Sequence, residues 1–297
     1  MNPKISAAIA TTLWGLTYIT TTTMLPHNPI FIGAMRALGG GLPLLLFVRE
    51  VPPRDWWVRI VVLGTLNSGL FFGLLFVAAI RLPGGVAATF QALGPLFMIL
   101  LAWPLLGAIP AASKVGAVLV GAIGVAMVVL KDNAGIDLIG VAAALGSALS
   151  VALGGILVHK WGRPKSLIGF TAWQLLVAGV ELSVAAVVFS DIPQSISALN
   201  IVGFVILALF ITALAFVLWF KAIEGAGAAH VAPFFLLTPI TAFILDAVFR
   251  GFIPNAVQTA GVVLVIASLL YSQHVDRRGF RPAHHLHHKK DTGKDPQ

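Results

Sequence analysis

Ten long apolar segments follow one another along the chain, and they constrain its fold more than any other feature. They lie near residues 4–25, 30–48, 57–80, 84–106, 111–130, 136–158, 166–189, 199–221, 227–249 and 254–273. A helix of about 20 apolar residues crosses the hydrocarbon core of a bilayer. Because lipid offers backbone groups no hydrogen-bond partners, helices are strongly favoured there. The pattern predicts an all-α integral membrane protein with ten transmembrane helices.

Composition excludes the main alternatives. Of the 297 residues, 58% are hydrophobic and only 10% are charged, whereas a soluble domain is roughly 25% charged. The chain therefore lacks the polar surface of a soluble globule. Its net charge of +8 does not indicate a nucleic-acid partner, because the basic residues are dispersed between apolar segments rather than gathered on one face. Since there is no cysteine, thiolate metal sites and cysteine nucleophiles are excluded as well.

The positions of the basic residues predict the orientation. When the N-terminus is placed in the cytoplasm, fifteen of the nineteen lysines and arginines fall in cytoplasmic segments, three fall outside, and Arg36 lies within a span. Cytoplasmic loops carry such an excess of basic residues. We therefore expect a multi-pass protein of the inner (plasma) membrane with both termini cytoplasmic. Residues 274–297 are polar, which predicts a disordered cytoplasmic tail. We expect the lysines and arginines of this tail to contact anionic lipid headgroups.

Two regions of the sequence match each other at an offset of 144 residues. This offset places Pro95 on Pro239, Gly107 on Gly251 and Ile109-Pro110 on Ile253-Pro254, and an offset of 138 places Arg36 on Gln174. We therefore expect one five-helix repeat in residues 1–133 and a second in residues 134–273. Because five is an odd number, the second repeat would cross the membrane in the opposite sense. Inverted repeats of this kind form the central site of many secondary transporters.

Several short motifs, in this order and spacing, resemble a known family. They are Leu13-Trp14-Gly15, Pro29 with Arg36, the Ala-Ile-x-x-x-Gly run from Ala79, the stretch from Pro95 to Gly107, Trp173-Gln174 and Leu237-Thr238-Pro239. The chain resembles EamA-type transporters of the drug/metabolite transporter superfamily, most of all the YddG-type amino-acid exporters. The resemblance implies ten helices, inverted repeats and export of amino acids or related metabolites. Where the family often has a glutamate after the glycine that ends spans four and nine, this chain has Ala108 and Phe252, so any role of that acid is absent.

The first span carries the clearest candidate binding face. Trp14, Thr17, Tyr18 and Thr21 are spaced i, i+3, i+4 and i+7 and therefore share one side of a helix. Aromatic rings and hydroxyls together suit a small amphipathic solute, so we expect Trp14, Thr17 and Tyr18 to bind substrate. The same spacing also fits simple helix packing, in which the threonines bond their own backbone.

Residues of four other spans complete the expected binding site. Asn67 carries a carboxamide in the middle of span three, where it needs a partner helix or a ligand. Gln91 and His230 lie shortly before prolines of spans four and nine, and the carbonyls that proline frees are tolerated where helices pack or line a cavity. Apolar walls are expected from the other candidates, which are Phe71, Pro95, Trp173 and Phe234.

Few ionisable residues lie within the spans. Arg36 and Glu181 are expected to form a structural ion pair or to couple transport to an ion, because charges at such depth face the interior or pair. Asp246 and Arg250 are four residues apart, which predicts a local pair. The tail has four histidines between residues 284 and 288, and flexible histidines of this kind bind metals adventitiously. We expect no physiological metal site and no cofactor.

Taken with the resemblance, these features predict a secondary transporter that exports amino acids, bulky apolar or aromatic ones above all, or similar small metabolites. The sequence has no G-x-x-x-x-G-K-[ST] phosphate loop and no common hydrolytic motif, so neither ATP hydrolysis nor another enzyme activity is expected. The runner-up is a carrier of nucleotide or phosphorylated sugars, although such dianions need more buried cations than Arg36 alone. A lipid scramblase or structural membrane protein is the alternative of another class. We expect a small-molecule substrate and membrane lipids as partners, and the sequence is compatible with a monomer.

Overall fold

Every regular element that the computed structural model describes is helical. The structure describes residues 1–129, 137–162, 166–189 and 192–279. In these residues the chain forms ten helical segments, numbered in chain order: α1 Pro3–Met24, α2 Pro29–Val48, α3 Arg54–Arg81, α4 Gly84–Leu106, α5 Ala112–Val129, α6 Leu138–Trp161, α7 Leu167–Phe189, α8 Ala198–Ala226, α9 at residues 228–250 and α10 Ala256–Gly279. The expectation of an all-α protein is confirmed.

Seven of the described helices are long and apolar enough to cross a membrane. They are α2, α3, α4, α6, α7, α8 and the part of α9 from Pro233 to Arg250. The apolar helices within α5 and α10 are shorter, at Ala112–Val128 and Ala256–Ser272. In α1 the threonine hydroxyls at positions 11, 21, 22 and 23 each donate to the carbonyl four residues earlier. These bonds satisfy the hydroxyls within the helix and make the threonines compatible with an apolar surrounding.

The end of α10 differs from the sequence prediction. The tail was expected to begin at residue 274, whereas α10 continues to Gly279, because residues 274–278 contain neither glycine nor proline to end the helix. The predicted boundary between the repeats at residues 133 and 134 lies outside the described residues. So do Lys131, residues 163–165 and the tail from residue 280 onward, including its histidines.

One face of α7 shows how apolar side chains cover the outside of the molecule. Val180, Val184 and Val187 follow one another at i, i+4 and i+7 and are each more than half exposed. Leu175, Ala178 and Leu182 on the other side of the helix are buried. Contiguous apolar surface of this kind is rare on soluble monomers. It therefore indicates contact with lipid.

Four of the helices depart from α-helical geometry, at positions that correspond between the two halves of the chain. α3 contains a π-helical turn at Thr65–Leu70 and α8 contains one at Ile206–Leu214. α4 is interrupted at residues 92–93, and α9 contains the 3-10 segment Ala232–Leu236. The last two departures directly precede Pro95 and Pro239, whose nitrogens cannot donate to the carbonyl four residues earlier.

The helix ends after these prolines also correspond. Gly107 and Gly251 adopt left-handed backbone angles, with φ of 70° and 64°, which glycine does without steric cost. In each case the amide of the following residue donates over 3.2 Å to the carbonyl six residues earlier, from Ala108 to Ala102 and from Phe252 to Asp246. The 144-residue offset seen in the sequence thus relates two similar helix caps.

The helices pack mainly across the two halves of the chain. The most extensive contacts join α2 to α7 and α5 to α10. α1 packs on α8 and α9, and α6 packs on α3 and α4. Where α5 crosses α10, a Cβ on Gly124 would lie 2.7 Å from the Gly261 carbonyl oxygen, so only glycine allows this approach.

A polar contact joins the end of α3 to the start of α6. The Asp137 carboxylate accepts a hydrogen bond from the Gly140 amide at 2.8 Å and lies 3.1 Å from Nη1 of Arg81. It thereby caps the first turn of α6 and holds the end of α3 beside it. The Gly140 amide and, to a lesser degree, Arg81 lower the pKa of Asp137 below its ordinary value.

Candidate functional site

Trp14 lies in a cluster of aromatic rings between α1, α8 and α9. Its ring centroid is 5.6 Å from that of Phe216, 5.5 Å from that of Trp219 and 5.3 Å from that of Phe235. Trp219 and Phe235 meet edge to face at 4.6 Å. Phe234 packs against the same group of buried residues. Trp14 is only partly buried and Phe235 is 46% exposed, so the cluster presents ring faces and edges to a neighbouring molecule.

The other residues of the α1 face are turned into the protein. Thr17 and Tyr18 are buried. Tyr18 lies close to Gly84 at the start of α4, where an added Cβ would come within 2.5 Å of the tyrosine Cβ. The Thr21 hydroxyl donates to the Thr17 carbonyl at 2.7 Å. Tyr18 and Thr21 thus make packing and backbone contacts, whereas Trp14 joins the aromatic cluster.

A pair of carboxamides joins α3 to α7. Nδ2 of Asn67 donates to Oε1 of Gln174 at 2.8 Å. Asn67 is part of the π-helical turn of α3. The carbonyl of Leu66, the residue before Asn67, accepts a hydrogen bond from the Ser150 hydroxyl of α6 at 2.7 Å. A π-helical turn changes the backbone bonding pattern and commonly occurs at functional sites. Polar groups of three helices therefore meet at this turn.

A second polar contact joins α4 to α6. Nε2 of Gln91 donates to the hydroxyl of Ser147, which donates in turn to the Ala144 carbonyl at 2.9 Å. Pro95, one turn further along α4, is exposed. Ser147 and Ser150 are i, i+3 on α6 and serve as partners of Gln91 and of the α3 turn, respectively. Neither serine was among the residues expected from the sequence, nor was Gln174.

The remaining candidates lie apart from these groups. Nε1 of Trp173 donates to the Glu50 carbonyl at 2.7 Å, and its ring lies 5.0 Å from that of Trp57. Phe71 contacts its neighbour Phe72, with ring centroids 5.2 Å apart. His230 is exposed in the one-turn helix Ala228–Val231. The structure thus places the sequence candidates in separate groups rather than in one cluster.

Arg36 and Glu181 do not pair with each other. Nε of Arg36 donates to the Thr212 hydroxyl of α8 at 3.1 Å. The Glu181 carboxylate accepts from the Thr65 hydroxyl of α3 at 2.6 Å. The ion pair considered from the sequence is therefore not formed, because each side chain has a hydroxyl partner in a different helix. Their part in coupling stays a prediction.

Asp246 and Arg250 form the local contact predicted from their spacing. Oδ1 of Asp246 is 3.7 Å from Nη1 of Arg250. The buried carboxylate also accepts from the Gly85 amide of α4 at 2.9 Å. This residue therefore joins α9 to the N-terminal turn of α4. Among the described residues, no group of three or more His, Cys, Asp or Glu side chains is placed to hold a metal ion.

The comparison with known families matches almost the whole chain. A sequence model of the EamA-like transporter family matches residues 3–130 and, a second time, residues 138–272. The chain belongs to the EamA-like transporter family. It is therefore a multi-pass membrane protein and a transporter, not an enzyme.

Individual relatives agree with this assignment. The chain is 33% identical over 278 residues to Protein PecM of Dickeya dadantii (strain 3937), covering 93% of each chain. It is 27% identical over 268 residues to the uncharacterized transporter YvbV of Bacillus subtilis (strain 168), covering 86% of this chain and 87% of that protein. A protein of known crystal structure shares the fold with a TM-score of 0.65 at 16% identity, over 94% of this chain and 99% of that one.

Proposed function

We propose that the protein is a secondary transporter that exports amino acids with bulky apolar or aromatic side chains, or similar small metabolites, as YddG-type exporters do. In this proposal all ten helical segments cross the inner membrane, both termini are cytoplasmic, and transport follows alternating access. The residues expected to contact the substrate are Trp14, Thr17, Tyr18, Asn67, Phe71, Gln91, Pro95, Trp173, His230 and Phe234.

The correspondence between the two halves supports the alternating-access part of the proposal. The family model matches the chain twice, and the π-helical turns, the interrupted helices and the glycine caps recur at similar offsets. Contacts between helices recur in the same way, with α1 on α8 matched by α6 on α3. Two repeats that cross in opposite senses give two related conformations, each open to one side.

The observation that carries the substrate class is the aromatic cluster around Trp14. It combines a ring from α1 in the first half with rings from α8 and α9 in the second. A site between halves is where a substrate can be exposed alternately to the two sides. Stacked and edge-on rings contact a bulky apolar or aromatic side chain favourably.

The runner-up carriers of nucleotide or phosphorylated sugars are less well supported. Arg36 is the only lysine or arginine that is buried among the described residues. A dianionic group transferred into a low-dielectric interior needs more compensating charge than one guanidinium. A lipid scramblase is tested by the same reconstitution, because it would move lipid without saturable exchange of a solute.

Counterflow in proteoliposomes tests the proposal directly. Vesicles loaded with unlabelled amino acid should take up the same labelled amino acid, and uptake should saturate. Trp14→Ala should lower the rate about tenfold through lost ring contacts, whereas Trp103→Ala, at an exposed site of α4, should leave it unchanged. The substrate assignment fails if no amino acid exchanges above empty vesicles while a nucleotide sugar or a lipid does.

Cysteine labelling tests the orientation, since the chain has no cysteine of its own. Single cysteines at the exposed positions Arg81 and Arg250 should react with an impermeant reagent from outside intact cells. A cysteine at the exposed position Arg54 should react only after the membrane is opened. The reverse pattern would invert the orientation.

A further inference from the structure

Arg36 is buried in α2 without an acidic partner among the described residues. Its side chain is 3% exposed, and Nε donates to the Thr212 hydroxyl at 3.1 Å. The guanidinium carbon lies 4.4 Å from the ring centroid of Phe72 and 5.8 Å from that of Phe76. Nη1 is buried and has no hydrogen-bond partner. A cation is thus held in place from three helices with part of its donor set unused.

Two acidic side chains inside the described helices, Glu181 and Asp246, are engaged elsewhere. Glu181 accepts from Thr65, and Asp246 accepts from Gly85 and pairs with Arg250. Ring faces compensate a buried guanidinium only in part. A charge inside a membrane protein is retained when it has a partner or a function. Asp246 has a charged partner among the described residues and Arg36 has none there, which leaves Arg36 able to bind an anionic ligand.

The surroundings of Arg36 fix the direction of the guanidinium. The Thr212 hydroxyl donates to the Leu207 carbonyl, five residues earlier in the π-helical turn of α8, at 2.8 Å. Its oxygen is therefore left to accept from Nε of Arg36. With Nε bound and the guanidinium carbon over the Phe72 ring, the terminal Nη groups remain as the donors that a ligand can meet. Such a planar pair of donors matches the two oxygens of a carboxylate.

We propose that Arg36 binds the carboxylate of the transported substrate, in a site formed by α2, α3 and α8. This inference rests on the proposed function only in taking the ligand to be the transported solute. One guanidinium with no second buried lysine or arginine among the described residues selects a monocarboxylate. Lysine cannot replace it, because an ammonium is not planar and does not present two parallel donors.

Ligand binding to the purified full-length protein in detergent tests this assignment. The probes are L-phenylalanine, L-phenylalaninamide and 3-phenylpropionate, and thermal stabilisation gives their affinities. The wild-type protein should bind both carboxylates more tightly than the amide. Arg36→Gln should weaken carboxylate binding roughly 10- to 100-fold, which is the range for hydrogen bonds to a charged group. It should leave binding of the amide nearly unchanged, and Arg36→Lys should behave like Arg36→Gln.

Two further variants keep the test decisive. Arg59→Gln is the matched control, because Arg59 also lies over an aromatic ring, 5.0 Å from that of Trp56, but is only partly buried. It should leave carboxylate affinity unchanged. Thr212→Val removes the hydroxyl that orients Arg36 and keeps the cation, so it should weaken carboxylate binding by a smaller factor. It also supplies the test if Arg36→Gln does not fold.

The outcomes separate this inference from the proposed function. Equal binding of acid and amide by the wild-type protein, or carboxylate preference that survives in Arg36→Gln, would overturn the role of Arg36 even if amino acids are exchanged in proteoliposomes. Loss of 3-phenylpropionate binding in Arg36→Gln, in a protein that exchanges no amino acid, would support the carboxylate site and refute amino-acid export.

Discussion

Replacement of Asp246 by alanine should destabilise the protein by about 2–3 kcal/mol, because it removes the acceptor at the first turn of α4. The carboxylate is 1% exposed, and its Oδ2 lies 2.9 Å from the Gly85 amide. Gly85 is the second residue of α4, and the first four amides of a helix have no acceptor within it. A hydrogen bond to a charged group contributes roughly 1.5–3 kcal/mol, and a carboxylate at a helix N-terminus adds about 0.3–1 kcal/mol.

Two variants separate the helix cap from the ion pair. Asp246→Asn keeps an oxygen that can accept from Gly85 and loses only the charge, so it should cost about 1 kcal/mol. Arg250→Gln should cost less than about 0.5 kcal/mol, since an exposed pair contributes little. The Arg250 side chain is 38% exposed, and its Nη1 is 3.7 Å from the carboxylate.

Thermal unfolding of the purified variants in detergent, followed by circular dichroism, measures these differences. Asp246→Ala should lower Tm by roughly 4–12 °C, at about 2–4 °C per kcal/mol for a chain of this size class. Arg250→Gln should shift Tm by no more than about 2 °C. Equal destabilisation by Arg250→Gln and Asp246→Ala would contradict the role of the helix cap, because the ion pair would then hold α9 to α4.

Three other predictions follow from local geometry. Gly124→Ala should destabilise the α5–α10 crossing by about 1–3 kcal/mol through overpacking, whereas Gly116→Ala, where a Cβ meets nothing within 4 Å, should be neutral or slightly stabilising in the same unfolding assay. Asn67→Leu and Gln174→Leu should each destabilise the protein by about 1–3 kcal/mol, because each single variant leaves one carboxamide unpaired. The double variant should lose less than the sum of the two, and additive losses in a double-mutant cycle would contradict the hydrogen bond. The cap that Asp137 forms on α6 should stabilise the fold fully above the unfolded-state pKa of this residue, and progressively less as pH falls through its lowered folded-state pKa. Asp137→Asn should therefore flatten the acid side of the plot of unfolding free energy against pH. An unchanged plot would exclude this contribution.

The helical architecture is predictable from the sequence because lipid imposes it. A run of about 20 apolar residues without backbone partners has few alternatives to a helix. Deviations occur where the chain leaves the apolar segment. α3 begins at Arg54, three residues before the apolar run near 57, because the 3-10 turn Arg54–Trp56 extends it. α10 extends to Gly279 for a similar reason, since polarity alone does not end a helix.

The partners of the polar residues could not be predicted in the same way. A carboxamide within an apolar span needs a partner, and this requirement holds for Gln174 as it does for Asn67, although the sequence prediction of the site includes only Asn67. Which helix faces Arg36 depends on how α2, α7 and α8 cross, and hydropathy does not contain that information. The π-helical turns add a further shift, because the extra residue in the turn rotates Thr65 and Thr212 relative to a regular helix. These hydroxyls bind the two charges that were expected to bind each other.

The two polar contacts at the π-helical turns give the proposed repeats different chemistry. Arg36 of α2 donates to Thr212 in the turn of α8, while Asn67 in the turn of α3 donates to Gln174 of α7. α2 and α7 are counterparts in the proposed repeat, as are α8 and α3, and the offset of 138 places Arg36 on Gln174. Identical side chains at these positions would bind both ends of a substrate alike. In the proposed site, a cation in one half and a neutral carboxamide in the other would instead provide a single carboxylate-binding end. In the proposed alternating-access cycle, a zwitterion bound there would keep its orientation, because a change of conformation would move the helices but leave the charge on α2. A substrate with two anionic groups would place the second one beside a carboxamide rather than a cation.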